Sequence, residues 1–119
     1  MRFEADEKAR KVADLEHMIR EFEQVANDLE RQIQAEEERT GVRDTSHFAY
    51  STFARSASQR RENLLASAAG LRGRLDAAIR ERDEFLEQMA RTAAVEQRPS
   101  TGTSRNRSRT PGTQSNQLR

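Results

Sequence analysis

Apolar residues recur at alternating steps of three and four along the first third of the chain. Val12, Leu15, Ile19, Phe22, Ala26, Leu29 and Ile33 follow that spacing. This is the a/d seam of a heptad repeat, one stripe of an α-helix. Met18 and Val25 sit beside the stripe and widen it. No proline or glycine interrupts the pattern, so it predicts one helix over about residues 3–39, on the order of 55 Å long. Gly41 follows "ERT" and suits the left-handed position just past a helix end.

A second run starts after a short connection, "TGVRD" at 40–44. Ala54, Ala57, Arg61, Leu64, Ala68, Leu71, Leu75, Ala78, Arg82, Phe85 and Met89 continue the alternation. Leu65, Ile79 and Leu86 flank them at e positions. The pattern predicts a helix over about 46–97, with the turn at 40–45. Asp44, Thr45 and Ser46 are competent N-caps, and Ser51 is a later alternative. Arginine at two a positions weakens this seam, a feature that sets register at a cost in stability. Gly70 and Gly73 fall at outer positions.

Connections this short join antiparallel neighbours. Folding at 40–45 places residue i opposite about residue 86 minus i, so Phe22 is expected to face Leu64, Leu15 to face Leu71, and Val12 to approach Leu75. Glu21 and Glu23 would approach Arg60 and Arg61, and Glu30 would approach Arg55. The predicted fold class is all-α: an antiparallel two-helix coiled-coil hairpin over 1–98 with a disordered C-terminal tail over 99–119. Its seam is Val12, Leu15, Ile19, Phe22, Leu29, Ile33, Leu64, Leu71 and Leu75. The far end of the second helix, with Leu86 and Met89, is expected to overhang. A second copy, a partner or an N-terminal extension would cover it. The abrupt start "MRFEADEK" suggests that the first helix begins further upstream.

Composition agrees with a narrow seam. Charged and hydrophobic residues each make up 34% of the chain, less apolar material than a compact core needs. The net charge of +1 hides an uneven distribution. Residues 1–40 hold twelve acids and seven bases, whereas 45–80 hold six bases and two acids. The two segments can pair with each other. The tail "PSTGTSRNRSRTPGTQSNQLR" carries four arginines, no acid and one leucine, and cannot bury enough surface to order itself. The chain has no cysteine, so disulfides and thiolate metal sites are excluded. No apolar run is long enough to cross a bilayer, and the start is not a secretory signal.

Candidate chemistry is sparse. His17 is outward-facing and His47 lies at the turn, and neither has a metal-ligand partner at helical spacing. There is no nucleophile elbow and no phosphate-cradling glycine loop. No catalytic residue, cofactor, metal or small-molecule ligand is expected. Two features instead suggest a partner surface. Phe48, Tyr50 and Phe53 concentrate half of the chain's six aromatics in one short stretch, followed by Arg60 and Arg61. Glu36, Glu37 and Glu38 occupy the last turn of the first helix, where the dipole disfavours negative charge. Tyr50 extends the seam at a d position. Phe48 and Phe53 lie beside it, either capping the hairpin end or, with Glu36, Glu37 and Glu38, offering a partner-binding rim.

The segment from "DEKARKVADLEHMIREFEQ" through "AEEERTGVRDTSHFAYSTF" to "RRENLLASAAGLRGRLDAA" resembles the flagellar export protein FliJ, in the branch with a His-Phe-Ala-Tyr segment. "DEK" at 6–8, "AEEERTG" at 35–41, "HFAY" at 47–50 and "RRENL" at 60–64 carry the resemblance, which spans about residues 4–80. Members usually begin further upstream, and the Arg/Ser/Thr tail departs from their pattern. The resemblance implies a non-catalytic, rod-like adaptor of the flagellar type III protein export apparatus. It would be cytoplasmic and peripheral to the inner face of the cell membrane. It implies a hairpin like the stalk of rotary ATPases, with three partners: the export ATPase ring, the cytoplasmic domain of the export gate, and export chaperones.

Two other readings stand beside it. One is a coiled-coil oligomerisation rod whose basic tail, "RNRSRTP" at 105–111, binds nucleic acid. The other is a purely structural coiled coil that forms a homodimer through the overhang of its second helix.

Overall fold

The computed structural model describes residues 2–96. They form two helices, α1 (Arg2–Thr40) and α2 (Thr52–Glu96). The tail expected over 99–119 lies outside the described residues. The chain divides into two units, Arg2–Arg82 and a second one whose described helical part starts at Asp83.

Within Arg2–Arg82 the helices form an antiparallel hairpin. Val12, Leu15 and Ile19 of α1 bury themselves with Leu71 and Ala78 of α2, and Phe22, Leu75 and Ile79 pack against them. Nearer the connection, Leu29 and Ile33 bury themselves with Tyr50, Ala54 and Ala57, supported by Val42 and Leu64. Every one of these helical positions belongs to the heptad seam except Ile79, which flanks it at an e position. Burial of a Leu or Ile side chain stabilises by about 1.5–3 kcal/mol, so these few contacts carry the hairpin. The alanines at 54, 57, 68 and 78 are all buried. Small residues on α2 let it approach the larger side chains of α1 closely.

The connection is longer than the sequence suggests, and the register moves with it. α2 starts at Thr52 and not near residue 46. The interhelical ion pairs Lys11–Glu81, Glu23–Arg72 and Glu30–Arg61 set residue i opposite about residue 92 minus i. The expected pairing of Glu21 and Glu23 with Arg60 and Arg61 is replaced accordingly. Glu23 pairs with Arg72, and Arg61 Nε lies 3.3 Å from Glu30 Oε1. Arg55, expected near Glu30, instead donates to the Thr45 carbonyl at 3.1 Å and covers the Tyr50 ring at 5.3 Å.

The two flanks of the seam differ. One flank is closed by Glu23–Arg72 and Glu30–Arg61, whose α1 members occupy successive e positions. The opposite flank has Lys11–Glu81 at 3.5 Å, then Met18 and Val25 at the following g positions. Gly70 and Gly73 face open space, where an added methyl would meet nothing within 4 Å.

In the second unit the described residues continue α2 to Glu96. Phe85 and Met89 are half-buried, whereas Leu86 and Val95 are exposed.

Candidate functional site

The aromatic and acidic residues singled out in the sequence meet at the hairpin corner, residues 36–55. α1 ends there with a glycine cap. Gly41 adopts φ 76°, and its N–H donates to the Glu37 carbonyl at 2.8 Å. This single bond closes the helix in the left-handed C-terminal motif. The Thr40 hydroxyl donates to the same carbonyl at 3.3 Å and accepts from the Val42 N–H at 3.3 Å.

The next residues could have continued into a helix, but local side-chain bonds compete successfully. Asp44 Oδ1 accepts from the Ser46 N–H at 3.0 Å and from the Ser46 hydroxyl at 2.7 Å. These bonds hold the Asp44 carboxyl below the usual carboxylate range. The His47 N–H donates to the Asp44 carbonyl, and Nδ1 of His47 accepts from the Ala49 N–H at 2.9 Å. Short polar side chains offer the backbone such alternatives to helix, which is why residues 44–50 turn. The helix then starts at its last available cap. Ser51 Oγ accepts from the Ala54 N–H at 3.1 Å, the bond of an N-cap residue to the third helical position.

Two carboxylates of α1 lock this corner to α2. Ser51 Oγ donates to Glu36 Oε2 at 2.6 Å, and Arg39 grips the same carboxylate through Nε and Nη2 at 2.9 and 2.8 Å. The Arg39 bond, then the Ser51 bond, lower the Glu36 pKa to about 2. The same pairing raises that of Arg39. Tyr50 Oη donates to Glu37 Oε2 at 2.7 Å, and Arg43 lies 3.8 Å from the other oxygen. The bond to Glu37, aided by burial, pushes the Tyr50 phenol up. Glu36 and Glu37 side chains are only 16% exposed. They do not form an open rim: they fasten the corner, and of the triplet only Glu38 is exposed.

The aromatics separate into two roles. Tyr50 is buried in the seam, as its heptad position implies. Phe48 is 96% exposed and covers nothing in the hairpin, so the capping role open to it in the sequence is not taken. Its ring stacks on His47, with centroids 4.7 Å apart and planes 22° apart. Phe53 is more than half exposed on the first turn of α2. Phe48, Phe53 and Glu38 are thus the accessible side chains of the corner, while Glu36 and Glu37 are largely covered. Ser51 and Arg39 were missed as corner residues. Ser51's value as a cap was visible, but its acceptor Glu36 came into view only once the register was known.

Among the described residues no group of three or more His, Cys, Asp or Glu could hold a metal ion. No described helix is long and apolar enough to cross a membrane. The grooves on the hairpin surface are open to solvent. Compared with protein-family models, with characterised proteins and with solved structures, the chain matches none.

Proposed function

We propose that this chain is a non-catalytic adaptor of the flagellar type III protein export apparatus, linking the export ATPase ring, the cytoplasmic domain of the export gate and export chaperones. The observation that carries the reading is the FliJ-like segment over about residues 4–80. Its "AEEERTG" and "HFAY" pieces form the fastened corner of an antiparallel hairpin. A two-helix hairpin offers long faces and no enclosed chamber. That suits binding and mechanical coupling better than chemistry. On this reading the chain works at the inner face of the cell membrane, held there by its partners.

The exposed corner, with Phe48 and Phe53, is the part of the hairpin offered to these partners. Site-specific photocrosslinking from position 48 in flagellated cells tests the proposal. Crosslinks to the export ATPase, the gate or an export chaperone are expected. If a folded chain crosslinks to none of the three from position 48, and co-purifies with none, the proposal fails.

A further inference from the structure

The unequal flanks of the seam carry a second reading, which does not depend on flagellar export. Met18 and Val25 occupy consecutive g positions and remain 39% and 37% exposed. A two-stranded coiled coil ordinarily places charged residues at g, and apolar ones there widen the buried stripe beyond what one neighbour covers. Two recesses run along this flank. One, of about 380 Å³, is lined by Leu15, Met18 and Arg74. The other, of about 500 Å³, is lined by Phe22, Val25, Leu64 and Arg60. Beside them on α1, Glu7, Asp14, Glu21 and Asp28 recur at strict seven-residue intervals, about 10.5 Å apart along the helix. Arg60 and Arg74, fourteen residues apart on α2, stand on the other wall.

None of the four acids pairs with α2. Glu21 lies 3.2 Å from His17 and Asp28 pairs with Arg31, both on α1 itself. The groove thus has an apolar floor and a row of acids in heptad register on α1, interrupted between Glu7 and Asp14 by Arg10 and Lys11, with a sparser basic wall opposite. We infer that it is the docking site for an amphipathic helix of a partner protein, carrying apolar heptads, Lys or Arg along one edge and Asp or Glu along the other.

Segments of this chain do not meet that description. The tail 99–119 has four arginines but a single leucine to fill the floor. The stretch 83–96 has Phe85, Leu86 and Met89 but four acids against one arginine, and the acidic wall would repel it. A helix in the groove completes a three-helix layer and covers Met18 and Val25. Its basic edge runs along Glu7, Asp14, Glu21 and Asp28.

The probe is a synthetic helical peptide with apolar heptads, Lys on one edge and Glu on the other. It is titrated into the full chain at low salt by fluorescence anisotropy, beside a control peptide of the same heptads with Gln on both edges. The charged peptide is expected to bind at least tenfold tighter, an advantage that fades with added salt. Asp14→Lys with Glu21→Lys, both on exposed positions, should remove that advantage. Met18→Glu with Val25→Glu should weaken both peptides at least tenfold while circular dichroism stays unchanged. The inference is overturned if the two peptides bind alike or if Asp14→Lys with Glu21→Lys preserves the charged peptide's advantage. It is also overturned if sedimentation shows that the peptide-free chain is a dimer which Met18→Glu with Val25→Glu dissociates, because a second copy then fills the groove.

Discussion

The Ser51 hydroxyl has two roles at once: it donates to Glu36 Oε2 at 2.6 Å and accepts from the Ala54 N–H at 3.1 Å. One side chain therefore starts α2 and ties it to the end of α1. Ser51→Ala removes both bonds. The lost cap alone costs about 1 kcal/mol. Thermal melting followed at 222 nm should show a clear drop in Tm, and Ser51→Thr, which keeps the hydroxyl, should retain most of the stability.

The carboxylates of the corner make the hairpin acid-sensitive. Glu36 titrates near 2 in the folded chain and at its ordinary 4.5 when unfolded, so unfolding takes up protons between these values. The stability it contributes is complete above about pH 4.5 and is lost as the pH falls towards 2. Asp44, lowered by its Ser46 bonds, acts in the same direction. Tyr50 acts at the other end: its raised folded pKa means that its contribution holds below its ordinary value of 10.0 and fades in more alkaline solution. A Tm profile against pH should fall on the acid side, and Glu36→Gln should flatten that limb.

Phe48 projects from the corner without covering it. Phe48→Ala should leave helicity unchanged and shift stability by no more than about 0.5 kcal/mol, as for surface positions generally. Any accompanying loss of partner binding then reports on a docking contact. A large drop in helicity would show that the ring is structural after all.

Arg61 is the polar residue of the seam near the corner. Its Nε is buried and lies 3.3 Å from Glu30 Oε1, misaligned for a hydrogen bond. Replacing both members of such a pair with apolar residues is often stabilising, whereas removing one leaves the other charge unpaired. Arg61→Leu combined with Glu30→Leu should raise stability by about 1 kcal/mol, the low end for a pair that remains partly in water. It should also loosen the register, because a polar group in the seam specifies alignment. Cysteine pairs placed across the observed register should crosslink less selectively in this variant.

How much of this could be read from the sequence follows from what each feature depends on. The seam was legible because Val12, Leu15, Ile19, Leu29, Ile33 and Leu71 obey helical periodicity, and all six are buried. The register was not. Sliding an antiparallel pair by nearly one heptad keeps a and d residues in the seam, so apolar spacing barely distinguishes the two alignments. Connection length decides between them, and that length rests on Asp44, Ser46 and His47 capturing backbone groups that a helix would have used. The same gap hid the corner. Glu36 and Glu37 read as a disfavoured acidic helix end because Ser51 and Tyr50, which neutralise that disadvantage, approach only in the observed alignment. Burial alone decides between the two roles that the sequence leaves open to Phe48, capping or exposure, and the ring is exposed; the open flank at Met18 and Val25 reads in the sequence only as a wider stripe.

The proposed adaptor role has the fastened hairpin bind the export machinery. Its most direct test is reconstitution from purified parts: the folded full chain, the export ATPase and the gate's cytoplasmic domain from the same organism, compared by analytical sedimentation. The expected result is a complex with at least one of the two that weakens with Phe48→Ala while the hairpin stays folded. Independent sedimentation of the folded chain from both, at concentrations where the ATPase forms its ring, would contradict it.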